Sequence, residues 1–332
     1  MGCSIKHIEY YLPDKILNNK QLEKEFPEWD AKKIEEKLGI KERHIVNEHE
    51  TAFHLAVKAA EKLFQYYDRS KIDFLILCTQ SPDYYLPTTA CILQDKLGLR
   101  NNIGALDYNL GCSGFIYGLA ISKGLINCGI AKNILLVTSE TYSKHIHFKD
   151  KSNLTIFGDG ATATIIEKSS DNCIFEFSLG TDGSGYKNLI VPYGGLKHRY
   201  DPNAKEINDG SGNIRTNNNL YMNGPEIFNF TIKMVPKVVC EVLKKNRITL
   251  DGLNYVIFHQ ANKYIIEYLR KIIKIPREKF YMNLLHTGNT VSSSIPIAIK
   301  DCLNRHIIQK KDKILIVGFG VGYSWGGTII KI

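Results

Sequence analysis

No uninterrupted apolar stretch in this 332-residue chain reaches the ~18 residues that a membrane-spanning helix needs. No Cys-x-x-Cys pair occurs, which removes the usual spacing of a structural zinc site. The first residues lack the basic stretch, apolar stretch and small-residue cleavage site of a secretion signal. Met1-Gly2 is followed by Lys6 where a myristoylation start calls for Ser or Thr. The eight cysteines show no paired spacing. Together these absences lead to the expectation of a cytoplasmic protein with reduced thiols. No helix-turn-helix, finger or aromatic-interleaved basic stripe is present, so neither nucleic acid nor a membrane is expected as a partner. The net charge of +9 fits either a solvated lysine-rich surface or a face for an acidic protein partner or anionic ligand. At 44% hydrophobic and 23% charged residues, the composition is that of a globular protein with a large core.

Buried-strand patterns occur at Phe74 to Cys78, Asn133 to Val137, Ala161 to Ile166, Tyr255 to Phe258 and Lys313 to Val317. Helix-period stretches lie between them: Thr51 to Tyr66, Thr89 to Leu97, Ile227 to Lys245, Lys263 to Ile273 and Ser294 to Asn304. The alternation predicts an α/β architecture. Each half repeats a helix followed by a buried strand, with a boundary expected near residue 170, giving halves 1–170 and 171–332. The Gly-, Asn- and Pro-rich stretch from Asp182 to Asn223 reads as a loop between them.

Four places carry chemistry. Cys112 lies in Leu110-Gly111-Cys112-Ser113-Gly114, after strand-like Ile103 to Leu106 and before helix-like Ser113 to Ile126. A helix N-terminus offers free N–H groups and a positive dipole end, which favour a thiolate nucleophile. His259 follows Phe258 at what reads as the C-terminal edge of a sheet, where α/β proteins bind ligands. Asn289 lies in Thr287-Gly288-Asn289-Thr290, a turn-like break. The run Gly318-Phe319-Gly320-Val321-Gly322 follows a strand but leads into another strand at Thr328 to Ile330. A nucleotide-binding G-x-G-x-x-G should open a helix, so the run reads as a source of amide donors for an oxyanion.

These segments resemble the β-ketoacyl-acyl-carrier-protein synthase III family of thiolase-like condensing enzymes, nearly end to end. The matching stretches are Leu38 to His44, Leu110 to Phe115, Phe157-Gly158-Asp159-Gly160-Ala161, Gly180 to Gly185, His259-Gln260-Ala261-Asn262, Gly288-Asn289-Thr290 and the glycine-rich run before the last strand. The resemblance implies a thiolase fold, two similar halves in a five-layered αβαβα arrangement, working as a homodimer. It implies acyl transfer from acyl-CoA to Cys112, then decarboxylative condensation with malonyl-acyl-carrier protein at His259 and Asn289. The amides of Cys112 and Val321 would form the oxyanion hole. No cofactor is implied beyond the coenzyme A thioester itself.

The resemblance also implies a coenzyme A entrance at Trp29, Lys151, Gly224, Phe228 and Asn262. Lys151 stands where an arginine is usual, keeping the charge without planar stacking. Leu86 stands where acetyl-primed members carry an aromatic that bounds the acyl pocket across the dimer, and a leucine there implies a longer or branched primer. Lys263, Arg270, Lys271 and Lys274 follow His259 and form the expected docking face for acidic carrier protein, with Tyr264 in place of a usual arginine.

Three other readings compete. The same fold supports acyltransferases that join the acyl-cysteine to an alcohol or amine, or condense two acyl chains; retention of both His259 and Asn289 favours decarboxylative condensation. A papain-like protease also runs Cys, His, Asn, but lacks that family's cysteine neighbourhood here. A silent scaffold would be signalled by loss of one of the three residues, and none is lost.

Overall fold

Leu75, Ile76 and Leu77 stand side by side in one strand and all three are buried. Successive strand residues point to opposite faces, so this strand is covered on both sides. The same holds for Ile134 to Val137, Val256 to Phe258 and Ile314 to Val317. In the computed structural model, which describes residues 2–332, these strands lie inside two five-stranded sheets.

The first sheet contains β1 (Gly2–Tyr11), β2 (Phe74–Cys78), β3 (Gly104–Tyr108), β4 (Asn133–Glu140) and β5 (Gly160–Ser169), in the order β1-β5-β4-β2-β3. The second contains β6 (Ser178–Thr181), β7 (Tyr255–Phe258), β8 (Phe280–Tyr281), β9 (Lys313–Gly320) and β10 (Ser324–Lys331), in the order β6-β10-β9-β7-β8. The two orders are the same path traced twice. The directions repeat as well. β3, β2 and β4 run parallel, with β5 and β1 antiparallel. β8, β7 and β9 run parallel, with β10 and β6 antiparallel.

Seven helices complete this frame: α1 (Ala31–Leu38), α2 (Ala52–Leu63), α3 (Thr89–Lys96), α4 (Gly114–Asn127), α5 (Gly224–Asn246), α6 (Lys263–Ile273) and α7 (Ser294–Asn304). α4 and α7 each pack against both sheets and form the middle layer. α2 and α3 cover the outer face of the first sheet, and α5, with α6 packed on it, covers that of the second. The layers are therefore αβαβα. Three apolar clusters fill the gaps. Leu75, Leu77, Leu135 and Val137 face α2; Ile76, Leu136, Ile257 and Ile316 meet α4 and α7; Val256, Phe258, Leu315 and Val317 face α5.

Two expectations change. The sequence pattern does not reveal β1, whose Ser4, Lys6, His7 and Glu9 interrupt any apolar run; it is an edge strand held by pairing with β5. The stretch Asp182 to Asn223 does not lie between the halves. β6 precedes it and already belongs to the second sheet, so the stretch is an insertion after the first strand of the second half. The first half carries a matching insertion between β1 and α2, which includes Trp29 and α1.

Candidate active site

The C-terminal ends of equivalent strands converge on one place. Cys112 follows β3, His259 follows β7, Asn289 lies between β8 and α7, and Val321 follows β9. The middle-layer helices α4 and α7 both begin there, so two helix N-termini, with their free N–H groups and positive dipole ends, face the same region. Cys112, His259 and Asn289 line one mainly apolar cavity of about 450 Å³.

Close backbone contact builds the nucleophile corner. A Cβ at residue 318 would lie 2.7 Å from the carbonyl oxygen of Cys112, and a Cβ at residue 114 would lie 2.3 Å from Cys78 Sγ. Glycine at both positions lets β9 and β2 press on the corner. From below, Cys78 Sγ donates to the Leu110 carbonyl at 2.9 Å and Gln80 Nε2 donates to Asn109 Oδ1 at 2.8 Å. Gln80 N–H and Ser292 Oγ in turn donate to the buried carboxyl of Glu140, at 3.0 and 2.9 Å.

A helix mouth by itself would make the thiol at residue 112 acidic. The sulfur is instead almost fully buried, at 5% exposure. Burial pushes the Cys112 thiol up to about 12, opposed by the N–H groups of Val321 and of Cys112 itself and reinforced by the charge of Glu140. Desolvation outweighs the dipole. The N–H groups of Val321 and Cys112 are thus the two that favour the thiolate, and Gly320, the residue before Val321, lies against the sulfur.

His259 is 2% exposed. Burial drives its pKa down to about 3, with the Val291 backbone opposing, so the imidazole is neutral. Its Nδ1 meets Ser294 Oγ at 2.7 Å, and the ring packs edge-on to Phe319. Nε2 is the nitrogen left for the cavity. Asn289 is fixed by a different device. Its side-chain oxygen accepts the Val291 N–H at 2.9 Å. A backbone N–H only donates, so Oδ1 is the atom it meets and Nδ2 is left free to donate. The Asn289 backbone bridges to the Ile156–Gly158 segment, through Asn289 N to Ile156 O and Gly158 N to Asn289 O.

Gly224, Phe228 and Asn262 line the same cavity. Asn262 Oδ1 caps α6 at Ile265 N, which leaves its Nδ2 unengaged by that bond. Trp29 lines a neighbouring cavity of about 370 Å³. The two cavities share Lys37, Leu38 and Ile156 and form one groove from the half-buried Trp29 to the buried sulfur. Both insertions wall this groove: Lys37 and Leu38 come from the first, Leu189 and Met222 from the second.

Other expected residues stand apart. Lys151 lies beside Ser152 at the rim, paired with Glu28 and stacked over Phe26. Leu86 is 82% exposed and lines neither cavity of its own chain. Arg270 is engaged within its own helix and the turn that follows it: Nε donates to Glu267 Oε2 at 2.8 Å and Nη1 to the Ile275 carbonyl at 2.9 Å. Lys263, Lys271 and Lys274 are exposed, although Lys263 Nζ also reaches the Glu36 carbonyl at 3.3 Å.

Sequence reasoning missed Ser294, Glu140 and Lys37. Ser294 was visible only as part of a serine run, and Glu140 only as a carboxylate ending an apolar strand. Among the described residues no three His, Cys, Asp or Glu side chains are grouped to hold a metal, and no helix is long and apolar enough to cross a membrane.

Comparison with known proteins agrees with this geometry. Residues 106–183 match the family model "3-Oxoacyl-[acyl-carrier-protein (ACP)] synthase III", and residues 243–332 match that of its C-terminal part. A β-ketoacyl-[acyl-carrier-protein] synthase III of Clostridium perfringens is 38% identical over 325 residues, covering 97% of each chain. One of Fusobacterium nucleatum is 38% identical and covers 99% of this chain and 98% of its own. A crystal structure of a 3-oxoacyl-(acyl-carrier-protein) synthase III superposes over 100% of both chains, with a TM-score of 0.98 and 42% identity. Convergent strand ends, a buried cysteine sharing one cavity with His259 and Asn289, and full-length similarity together show that this chain belongs to the β-ketoacyl-acyl-carrier-protein synthase III family.

Proposed function

We propose that the protein transfers an acyl group from acyl-CoA to Cys112 and then condenses it with malonyl-acyl-carrier protein, giving a β-ketoacyl-carrier protein and CO₂. The observation that carries this reading is the meeting of Cys112, His259 and Asn289 in one cavity, with the end of β9 at Gly320 pressed against the sulfur.

The steps balance with these groups and one proton from solvent, which the released Cys112 thiolate takes up at the end. Cys112 Sγ adds to the thioester carbonyl, whose π electrons move to oxygen. The N–H groups of Cys112 and Val321 stabilise that oxyanion; each such donor contributes about 3 kcal/mol in comparable sites. Collapse expels coenzyme A as a thiolate, which takes the proton lost by the Cys112 thiol. The malonyl thioester then loses CO₂, and negative charge grows on its thioester oxygen. A neutral imidazole with its proton on Nε2, accepting from Ser294 at Nδ1, and the Asn289 Nδ2 donor suit that enolate. Its carbon attacks the acyl-cysteine, and Cys112 leaves as a thiolate that is reprotonated. No oxidant, metal or cofactor enters this balance beyond the coenzyme A thioester.

The same reading assigns the rest. The groove from Trp29 past Lys37 to Phe228 and Asn262 takes the coenzyme A arm, with Gly224 at its edge and Lys151 flanking the adenine end. Residues 1–170 supply the nucleophile and 171–332 the decarboxylating pair. Lys263, Lys271 and Lys274 offer positive charge to an acidic carrier protein at the mouth. A homodimer is favoured by the open edge of β3 beside the exposed Tyr84, Tyr85 and Leu86. In such a dimer Leu86 bounds the partner's acyl pocket. We take the site of action to be the cytoplasm, where coenzyme A and carrier-protein thioesters are made.

Intact-protein mass spectrometry after incubation with acetyl-, isobutyryl- and octanoyl-CoA tests the reading. An acyl adduct on the wild type and none on Cys112→Ala supports it; no adduct from any of the three overturns it. Release of CO₂ from malonyl-carrier protein separates condensation from acyl transfer to an alcohol or amine.

A further inference from the structure

We infer that Ser113 and Ser324 form a hydroxyl clamp that sets the spacing of the two oxyanion-hole amides, making both of them positioning residues for acyl transfer. The inference deepens the acyl-transfer reading and rests on it.

Ser113 follows the nucleophile directly, and Ser324 opens the last strand, opposite Gly320 in the β9–β10 hairpin. They come from different halves of the chain, 211 residues apart, yet their Oγ atoms lie 2.6 Å apart. Both are buried, at 0% and 1% exposure. Ser324 Oγ also lies 3.0 Å from the Val321 carbonyl oxygen.

The proton directions are forced. A carbonyl only accepts, so the Ser324 hydroxyl donates to Val321. Ser324 Oγ therefore receives its second bond from the Ser113 hydroxyl. The chain reads Ser113 O–H to Ser324 O–H to Val321 C=O, with one proton per link. Its two ends are the residues next to, or containing, the two amides in question. Ser113 adjoins Cys112, and Val321 carries its N–H on the same residue whose carbonyl is held. Cys112 and Val321 meet beside the sulfur, since a Cβ at residue 320, next to Val321, would lie 2.7 Å from Cys112 Sγ. The contact is also tight around the pair, since a Cβ at residue 318 would sit 2.8 Å from Ser113 Cα. Apolar packing brings the hairpin to the nucleophile corner, but packing is not directional. The hydroxyl chain fixes the angle and separation of the two turns, and oxyanion stabilisation depends steeply on both.

The chemistry it serves is the addition step, in which the S–C bond forms and the carbonyl electron pair moves to oxygen. Alkylation of the same sulfur by iodoacetamide is a displacement with iodide leaving and makes no oxyanion. The two reactions therefore separate the clamp from a general disturbance of Cys112.

The test uses the full chain, stopped-flow or quenched acylation by acetyl-CoA and octanoyl-CoA, and iodoacetamide alkylation in parallel. Ser324→Ala is expected to slow maximal acylation about tenfold to a hundredfold at saturating acyl-CoA. The half-saturating concentration and the alkylation rate should move less than about threefold. Ser324→Thr should restore most of the rate, because the hydroxyl returns. Ser113→Ala should cost less than Ser324→Ala, and should cost almost nothing further in a Ser324→Ala background, because the link is already broken. The clamp is overturned if Ser324→Ala acylates at the wild-type rate, if acylation and alkylation fall together, or if the two alanine effects multiply. Ser324→Ala chains that do not fold give no rate, and the Ser113→Ala and Ser324→Thr pair then decides: equal acylation rates for those two variants and the wild type overturn it. Wild-type protein that takes up no acyl group refutes the underlying reading instead.

Discussion

Gly320 sits against the sulfur of Cys112: a Cβ built at residue 320 would lie 2.7 Å from Sγ and 2.8 Å from the Cys112 Cβ. Real Cβ atoms do not approach so closely, so the absence of a side chain at residue 320 gives the sulfur its place against the end of β9. Gly320→Ala must therefore displace the cysteine side chain or the hairpin. Overpacking of this kind costs about 1–3 kcal/mol, which the fold tolerates, while the reacting geometry does not. Acylation of Cys112 should fall at least about tenfold in a variant that still melts cooperatively. Acylation at the wild-type rate would show that the sulfur does not need this contact.

His259 is held neutral by burial, with its pKa driven down to about 3. An ordinary histidine titrates near 6.5. Decarboxylation of malonyl-carrier protein should then show no loss centred near pH 6.5 as the medium is acidified from pH 8 to pH 5. His259→Ala should lower CO₂ release about a hundredfold while leaving acylation of Cys112 by acyl-CoA nearly intact. An acid limb near 6.5 that disappears in His259→Ala would contradict this assignment.

Glu140 is a buried carboxyl, raised to about 8 by burial, with hydrogen bonds from Gln80 and Ser292 pulling the other way. Its folded pKa lies above the ordinary value of 4.5. The folded state thus binds the proton more tightly than the unfolded chain. Stability from this group is complete below about pH 4.5 and is lost as pH rises toward about 8, by roughly 1.4 kcal/mol per pH unit at most. Glu140→Gln keeps the shape and removes the titration. The melting temperature of Glu140→Gln relative to wild type should climb between pH 5 and pH 8. Its charge also holds the Cys112 thiol up, so alkylation of Cys112 at pH 8 should be faster in the variant. A melting difference independent of pH would mean that Glu140 stays ionised in the fold.

Much of this architecture was legible because its strands are covered on both faces. Phe74 to Cys78 and Tyr255 to Phe258 read as unbroken apolar runs, and the structure puts them at equivalent places in two equivalent sheets. β1 was illegible for the opposite reason: Lys6 and Glu9 face solvent or ion partners, and its register comes from β5 alone. Cys112, His259 and Asn289 were legible because each interrupts an apolar pattern with a glycine or polar cluster. Their supporting bonds were not. Ser294 on His259 and Glu140 beneath Gln80 lie 35 and 60 residues apart, and sequence separation hides such pairs; the Val291 bond to Asn289 is local, but it depends on a turn geometry that the sequence does not print. The thiol's proton affinity was misjudged because a helix terminus is visible in sequence, whereas the depth of burial that overrides it is not.

Arg43 shows how a recognisable motif can carry structure rather than chemistry. It is fully buried, with no carboxylate against its guanidinium. Nη1 donates to the Leu17 carbonyl at 3.1 Å, and Nη2 donates to Asn19 Oδ1 and the Thr155 carbonyl, each at 2.8 Å. Burial pulls its pKa down to about 10, which still leaves it charged at neutrality. These bonds tie the first insertion to the Thr155–Phe157 segment, and that segment holds the backbone of Asn289. Glycines at 158 and 288 give the arginine room, since a Cβ on either would come within 3.2 Å of Arg43 Cβ. Arg43→Met fills the space but leaves two buried acceptors, Asn19 Oδ1 and the Thr155 carbonyl, and the half-buried Leu17 carbonyl empty, at about 1–3 kcal/mol for each buried one. The expected loss is about 3 kcal/mol or more in chemical denaturation, with decarboxylation reduced more than acylation because Asn289 loosens while Cys112 does not. Arg43→Lys should not restore stability, because one ammonium cannot reach three acceptors spread across a planar fork. Full stability in Arg43→Lys would show that charge alone, rather than the fork, is what this position requires.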